Sequence, residues 1–173
     1  MMSDDGPVPV DGSTRARVQR MWERLGRACE AAGRDRDEVR LLPVSKLHDV
    51  DEIRAVHAAL AEVSGDAGPR SYGENHVQEI VAKTARIGPD EGIDFALIGH
   101  LQTNKVKQVI DKVTMIHSVD SIKLAKEIDK RAAAADLVMD ILIEINLAEE
   151  ESKTGIAKAE VFELVASIVN TCD

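Results

Sequence analysis

Residues 41–60, LLPVSKLHDVDEIRAVHAAL, join a short apolar segment to an amphipathic helical pattern, and a lysine stands at the junction. Leu41–Lys46 has the length and apolar character of a buried strand, whereas the apolar positions after Val50 recur at helical spacing. Lys46 therefore has two interpretations. It either extends its ammonium group into water, or it is held partly desolvated as an amine nucleophile at the mouth of a pocket. These residues alone leave both open.

The same alternation of strand and helix continues along the chain after an opening helix, which Ser13 can cap and Gly33 can end. Strand-like segments are predicted at residues 41–46, 71–75, 94–100, 114–120 and 140–148. Helical patterns are predicted at residues 50–61, 77–87, 104–112, 121–135 and 157–170, and Ser121 can cap the fourth of these. Such alternation is typical of βαβ units around a parallel sheet.

Two parallel α/β architectures fit this pattern, an open doubly wound sheet and a (β/α)8 TIM-type barrel. No G-x-G-x-x-G segment follows the first strand, which weakens the case for a dinucleotide-binding sheet. Leu42, Val44 and Lys46 share one strand face, as do Glu144 and Asn146, and polar groups facing inward near strand ends suit a barrel. Only five βα units are present where a barrel has eight. We therefore expect residues 13–173 to form a barrel truncated after about five units, preceded by a disordered leader at 1–12.

Composition limits the classes of partner. The net charge of -9, the pI near 5.1 and an aromatic content of only 2% argue against nucleic acid or an anionic membrane as the ligand. No apolar stretch approaches the roughly 20 residues of a membrane span. The two cysteines, Cys29 and Cys172, have no metal-ligand spacing and suit a reducing compartment, so a cytoplasmic location is expected.

Polar residues follow the predicted strands, at the edge where parallel α/β folds bind ligands. They either hold a small polar molecule or simply meet solvent. His100 and His117 are more typical of structural than of catalytic histidines, Asn104 is expected to cap the next helix, and the basic residues of 82–86 are expected on a solvated helix face. The set comprises Ser45, Lys46, Glu74, Asn75, His100, Gln102, Asn104, His117, Asp120 and Asn146.

Five segments in order closely resemble the pyridoxal phosphate homeostasis proteins, single-domain relatives of the alanine racemase N-terminal barrel. They are LLPVSK (41–46), YGENHVQE (72–79), LIGHLQTNK (97–105), IHSVDS (116–121) and EINLAEEESKTGI (144–156). The resemblance implies pyridoxal 5'-phosphate (PLP) as cofactor, held as a Schiff base by Lys46 of the V-S-K motif. It places Asn75 beside the cofactor ring and Gln102 along the site. Lys153 is a second amine near the mouth, which either accepts cofactor from Lys46 or offsets the acidic residues 149–151.

The implied function is reversible binding of PLP and its delivery to apo-enzymes, by a protein that is monomeric in its complete form. An amino-acid racemase is the alternative, but racemisation needs two bases and the single tyrosine, Tyr72, lies inside a strand. A third possibility is a non-functional fragment. The family's phosphate-binding segments have no counterpart within residues 1–173, and an incomplete barrel has unpaired strand edges. We therefore expect weak cofactor binding and self-association of this chain.

Overall fold

The computed structural model describes residues 13–65, 68–148, 150 and 154–172. The predicted leader at 1–12 and the side chain of Lys153 lie outside these residues. The chain divides into two compact units. The first comprises the chain up to Leu41 together with Asp51–Pro69, and the second comprises Leu42–Val50 together with Arg70–Asp173.

The first unit is helical. It contains α1 (Thr14–Ala31), a short 3-10 helix (Arg36–Glu38) and nearly all of α2 (Val50–Ser64). The sequence-based ends of α1 are confirmed: the Ser13 side chain accepts a hydrogen bond from the backbone N–H of Ala16 at 3.2 Å, and Gly33 adopts a φ of +62°. The buried residues Val18, Ala59 and Leu60 pack α1 against α2, which gives this unit an apolar core of its own.

The second unit is built on a parallel sheet in the order β1–β2–β3–β4. Its strands are β1 (Ser71–Glu74), β2 (Asp94–Leu97), β3 (Met115–Val119) and β4 (Asp140–Ile143), and its helices are α3 (Val77–Thr84), α4 (Ile122–Ala134) and α5 (Val161–Thr171). Tyr72 pairs with Phe95 and Leu97 with Ile116, and all four side chains are almost fully buried. The predicted parallel α/β fold is confirmed.

The predicted first strand, 41–46, is wrong in extent. It is reduced to a single parallel bridge between Val44 and Gly73. The Gly73 N–H donates to the Pro43 carbonyl at 2.7 Å, and the Ser45 N–H donates to the Gly73 carbonyl at 2.8 Å. Pro43 has no N–H to extend the ladder, and Leu47 leaves the extended conformation with a φ of +64°. The paired segment therefore has strand geometry only around Val44.

The predicted fifth strand divides in two, because its pairing partner changes at Glu144. The Glu144 N–H donates to the Val119 carbonyl of β3, whereas the Glu144 carbonyl accepts from Ile156 at 2.8 Å. Beyond this residue β5 (Ile145–Asn146) pairs in parallel with β6 (Ile156–Ala157) as a separate two-stranded sheet. Pairing takes up Ala157, so the last helix begins later than predicted, after a 3-10 turn at Lys158–Glu160.

The helix predicted at 104–112 is a 3-10 helix, Thr103–Gln108. Gln102 occupies its N-cap position without a side-chain cap bond, so the prediction that Asn104 caps it is wrong. By contrast, Ser121 caps α4 as predicted, accepting from the Leu124 N–H at 3.4 Å.

Several apolar side chains of the second unit are exposed, among them Phe162 and Val169 on α5 and Leu142 on β4. Phe162 is 86% exposed and Val169 74%, so α5 presents an apolar stripe at helical spacing. Among the described residues, none of the helices combines the length and apolar character that crossing a bilayer requires.

Candidate functional site

All residues of the candidate site belong to the second unit. The register of the sheet brings their backbones to the same end of the sheet, called here the carboxyl edge, where the carboxyl ends of its parallel strands lie. Val44 pairs with Gly73, Glu74 with Leu97, and Val119 with Ile143. The residues that follow these pairs are at the carboxyl ends of parallel segments, the edge where such sheets bind ligands. Lys46, Asn75, His100, Asp120 and Asn146 all follow or end a paired segment in this way.

Gly99 brings the segments after β1 and β2 into direct backbone contact. A Cβ atom added to Gly99 would lie 2.2 Å from the Asn75 carbonyl oxygen and 2.8 Å from the Asn75 Cα. The Ile98 N–H also donates to the Glu74 carbonyl at 2.9 Å. Only a residue without a side chain allows this approach, which sets Asn75 beside Gly99 and the neighbouring His100.

Lys46 is exposed, and the buried side chain of its segment is instead that of Ser45, which is only 3% exposed. Of the two interpretations of Lys46, the structure therefore agrees with exposure to water and not with partial desolvation. Its strand neighbour Val44 is also 49% exposed. The reason is local: Ser45 turns toward β1, where its hydroxyl lies 3.2 Å from both the Gly73 carbonyl oxygen and Glu74 Oε2. Alternation along the segment then directs Lys46 away from these groups.

Glu74, Glu79 and Lys83 form a cluster of charged groups beside residues 45–47, called here the Lys46 segment. Lys83 Nζ donates to Glu74 Oε2, to Glu79 Oε2 at 2.9 Å and to the Ser45 carbonyl at 2.8 Å. The Lys83 side chain is 8% exposed and that of Glu74 is fully buried. The prediction that Lys83 lies on a solvated helix face is wrong, because its ammonium group is completely engaged within the protein.

Backbone amides complete this charged cluster. The Asn75 N–H donates to Glu74 Oε1 at 2.7 Å, and the Leu47 N–H donates to Glu79 Oε2 at 3.2 Å. The hydrogen bond from Lys83 is the main cause that lowers the pKa of Glu79, and the Leu47 N–H adds to it against the opposing effect of burial. The carboxylates of Glu74 and Glu79 therefore share the ammonium group of Lys83. Backbone N–H groups donate further hydrogen bonds to the two carboxylates.

Glu79 and Lys83 are not among the predicted site residues, although the sequence carries one signal of their pairing. They are four residues apart on α3, the spacing of a helical ion pair. Their spacing says nothing of burial, which depends on the approach of α3 to β1 and to Ser45.

The other predicted site residues occupy separate positions along the edge. Asn75 is half-buried and Gln102 is exposed. His100 Nδ1 lies 3.9 Å from Asp120 Oδ2, a distance at which attraction is weak unless the imidazole is protonated. Burial lowers the pKa of His117 on β3. Asn146 donates to the Glu150 carbonyl at 2.8 Å. The described part of the chain contains no group of three or more histidine, cysteine or acidic side chains suited to a metal ion.

Two buried polar atoms near the ends of β3 and β4 have no hydrogen-bond partner among the described residues. They are Ser118 Oγ, in a residue 1% exposed, and Glu144 Oε2, whose other carboxylate oxygen accepts from the Thr154 hydroxyl at 2.8 Å. Buried polar groups are normally paired, so unpaired ones indicate capacity to bond another group.

The fold and this end of the sheet define the chain as a parallel α/β protein with a lysine amine at the end of its first paired segment. Solved structures support this class. The crystal structure of an unknown protein from Bifidobacterium adolescentis matches 97% of this chain and 69% of its own chain, with a TM-score of 0.75 and 36% identity. PipY of Synechococcus elongatus, solved with PLP bound, matches 86% of this chain and 65% of its own, with a TM-score of 0.68 and 28% identity. An alanine racemase of Clostridium difficile, 15% identical with a TM-score of 0.60, shares the fold.

Relatives with assigned names show which proteins of this fold the chain is similar to. A pyridoxal phosphate homeostasis protein of Aquifex aeolicus is 40% identical over 148 residues, and that of Escherichia coli K12 is 34% identical over 148 residues. These matches cover 86% and 84% of this chain but 61% and 60% of the relatives, so the chain spans about three fifths of their length. No family model matches the chain. The chain is a homologue of the pyridoxal phosphate homeostasis proteins, as the five motifs predicted.

Proposed function

We propose that this chain binds PLP through a Schiff base on Lys46 and contributes to the homeostasis of that cofactor in the cell. The carrying observation is the position of Lys46, at the carboxyl edge of a parallel sheet whose fold PipY shares with PLP bound. Because the chain spans about three fifths of its named relatives, the activity of a whole protein is part of the proposal.

The residues at this edge fit the aldehyde end of the cofactor. PLP supplies a reactive aldehyde carbon. Lys46 would hold the cofactor through this aldehyde, because an amine and an aldehyde condense to a C=N bond while the aldehyde oxygen leaves as water with the two amine protons, so no oxidant and no metal would be needed. Exposure of Lys46 leaves its amine accessible to a ligand arriving from solvent.

Neighbouring groups are assigned to the rest of the ligand by their chemistry. The amide of Asn75, half-buried at this end of the sheet, can donate to and accept from a polar ring. Gln102, exposed after β2, is proposed to line the same edge. Lys153 is proposed as a second amine for transfer of the cofactor. We assign none of these residues to the phosphate group.

The proposed role is binding and transfer rather than turnover. Racemisation requires a second base on the opposite face of the substrate. The single tyrosine of the chain, Tyr72, is 2% exposed within β1 and unavailable for that role. We propose that residues 13–173 act as the cofactor-binding region, that apo-enzymes receive the cofactor and that the protein is cytoplasmic. The free thiols of Cys29 and Cys172 are consistent with that location.

Borohydride reduction of the protein with PLP, followed by peptide mapping, tests the assignment. We expect a pyridoxyl label on Lys46 at PLP concentrations that leave the exposed helical lysines Lys123 and Lys126 unlabelled. Lys46→Ala should abolish the saturable label, whereas Lys126→Ala, the matched loss of an exposed lysine, should not change it. A label distributed equally over exposed lysines, or saturable labelling that persists in Lys46→Ala, would contradict the proposal.

A further inference from the structure

We infer that Glu74, Glu79 and Lys83 form a buried clamp that positions Lys46 for its ligand. The inference rests on the proposed function of Lys46 and assigns a positioning role to three residues that do not themselves reach the ligand. The clamp is defined by the hydrogen bonds of Lys83 to Glu74 and Glu79 and by the bonds of the same groups to the backbone around Lys46.

The clamp holds the backbone on both sides of Lys46. Lys83 Nζ binds the carbonyl of Ser45, the residue immediately before it, at 2.8 Å. Glu79 Oε2 accepts from the N–H of Leu47, the residue immediately after it, at 3.2 Å. Because these two anchors meet at the same ion pair, the peptide groups that flank Lys46 are fixed relative to α3 and β1 while the side chain stays free.

Leu47 lies in the turn that carries Lys46, and the clamp binds both ends of that turn. Leu47 has a φ of +64°, a region that residues other than glycine rarely occupy. Its side chain is 84% exposed, so burial of the leucine does not explain the conformation. Two bonds hold this peptide: the turn bond from the His48 N–H to the Ser45 carbonyl at 3.1 Å, and the bond from the Leu47 N–H to Glu79. The Ser45 carbonyl that closes the turn is also bound by Lys83, and strained backbone of this kind is concentrated at functional sites.

A cluster that only fastens α3 to β1 would not need these backbone bonds. Glu79 allows the two roles to be separated, because its side chain is 28% exposed and its loss leaves Lys83 bonded to Glu74 and to Ser45. We therefore expect Glu79→Ala to keep the wild-type far-UV circular dichroism spectrum. Glu127→Ala is the matched control, because Glu127 forms an i,i+4 ion pair with Arg131 on α4, is 22% exposed and has no bond to the Lys46 segment.

Hydrogen exchange and borohydride labelling measure the two halves of the inference separately. In Glu79→Ala without added ligand, we expect faster amide exchange in a peptide spanning residues 45–49. We also expect labelling of Lys46 to require on the order of tenfold more PLP, because the amine is no longer held in one place. Glu79→Gln, which retains a side-chain oxygen as acceptor, should restore both. Glu127→Ala should change neither measurement.

Leu47 provides a second pair of variants at an exposed position where misfolding is not expected. Leu47→Gly retains the N–H and favours a positive φ, so labelling of Lys46 should stay at the wild-type level. Leu47→Pro removes the N–H and cannot adopt a φ of +64°, so it should weaken labelling as Glu79→Ala does.

The outcomes distinguish the inference from the function on which it rests. Faster exchange at 45–49 with unchanged Lys46 labelling, or equal labelling of Leu47→Gly and Leu47→Pro, would overturn the positioning role while leaving PLP binding intact. Absence of saturable labelling at Lys46 in the wild-type protein would overturn the proposed function and with it the cofactor role of the clamp. Unchanged exchange at 45–49 in Glu79→Ala would show that the clamp does not restrain this backbone.

Discussion

Replacement of Lys83 by methionine should destabilise the fold strongly. Methionine is similar in length to lysine but carries no charge, so the variant removes the ammonium group and changes the packing little. Lys83 is 8% exposed and its partner Glu74 is fully buried, so the change leaves a buried carboxylate without its counter-ion. It also removes the donors to Glu79 and to the Ser45 carbonyl. Breaking a buried ion pair by removing one partner typically costs about 3–5 kcal/mol, a large fraction of the roughly 5–15 kcal/mol that stabilises a domain.

Urea unfolding followed by far-UV circular dichroism measures this loss. For a domain of this size, about 3–5 kcal/mol corresponds to a decrease in melting temperature of roughly 6–20 °C. The double variant Lys83→Met/Glu74→Gln should recover part of the loss, because it removes the unpaired charge together with its partner. Arg131→Met is the matched control, since Arg131 is 37% exposed and solvent screens its pair with Glu127.

The reasoning fails if Lys83→Met unfolds at the same urea concentration as the wild-type protein, or if Arg131→Met costs as much. Either result would mean that the ammonium group of Lys83 is solvated in solution and that Glu74 does not depend on it. If the double variant were less stable than Lys83→Met by the full cost of a second independent substitution, the two side chains would not be coupled.

Two further predictions follow from single residues. Gly99→Ala should cost about 1–3 kcal/mol or more in unfolding experiments, because its Cβ would lie 2.2 Å from the Asn75 carbonyl oxygen, whereas Gly26→Ala in α1, with nothing within 4 Å, should be neutral or slightly stabilising. An equal effect of the two changes would contradict the close approach. Burial raises the pKa of Tyr72 to about 12, so the stability that its burial contributes is present below pH 10 and is lost as pH rises toward 12. The ultraviolet absorbance of phenolate reports this single tyrosine, and ionisation at pH 10 in the folded protein would contradict its burial.

Local signals in the sequence predicted the fold well where local physics decides it. Ser13 and Ser121 cap helices as expected, Gly33 ends α1 with a positive φ, and strand–helix alternation predicted a parallel sheet. The strand predicted at 41–46 is longer than the observed pairing around Val44. Its apolar composition indicated a strand, but Pro43 lacks the N–H that would extend the ladder.

The site was less predictable, since its geometry depends on contacts distant in sequence. Charged residues are mostly exposed, so Lys83 was assigned to solvent. Its burial results from bonds to Ser45, 38 positions away, and to Glu74, 9 positions away. The Lys46 motif was recognisable from the sequence. The sequence left exposure and desolvation of Lys46 undecided, because the outcome depends on Ser45 taking the buried side of the segment.

The composition of the clamp is itself an argument for its positioning role. Well-packed apolar residues often stabilise a protein as much as a buried ion pair does, so stability alone is a weak reason to bury Glu74 and Lys83. Apolar side chains could fill the same space between α3 and β1, but they could not bind the Ser45 carbonyl or the Leu47 N–H. Only charged and hydrogen-bonding groups can fix both peptides that flank Lys46 while leaving its amine exposed. We therefore attribute the buried charge to control of the Lys46 backbone rather than to stability, which is why Glu79→Ala should impair labelling more than it impairs folding.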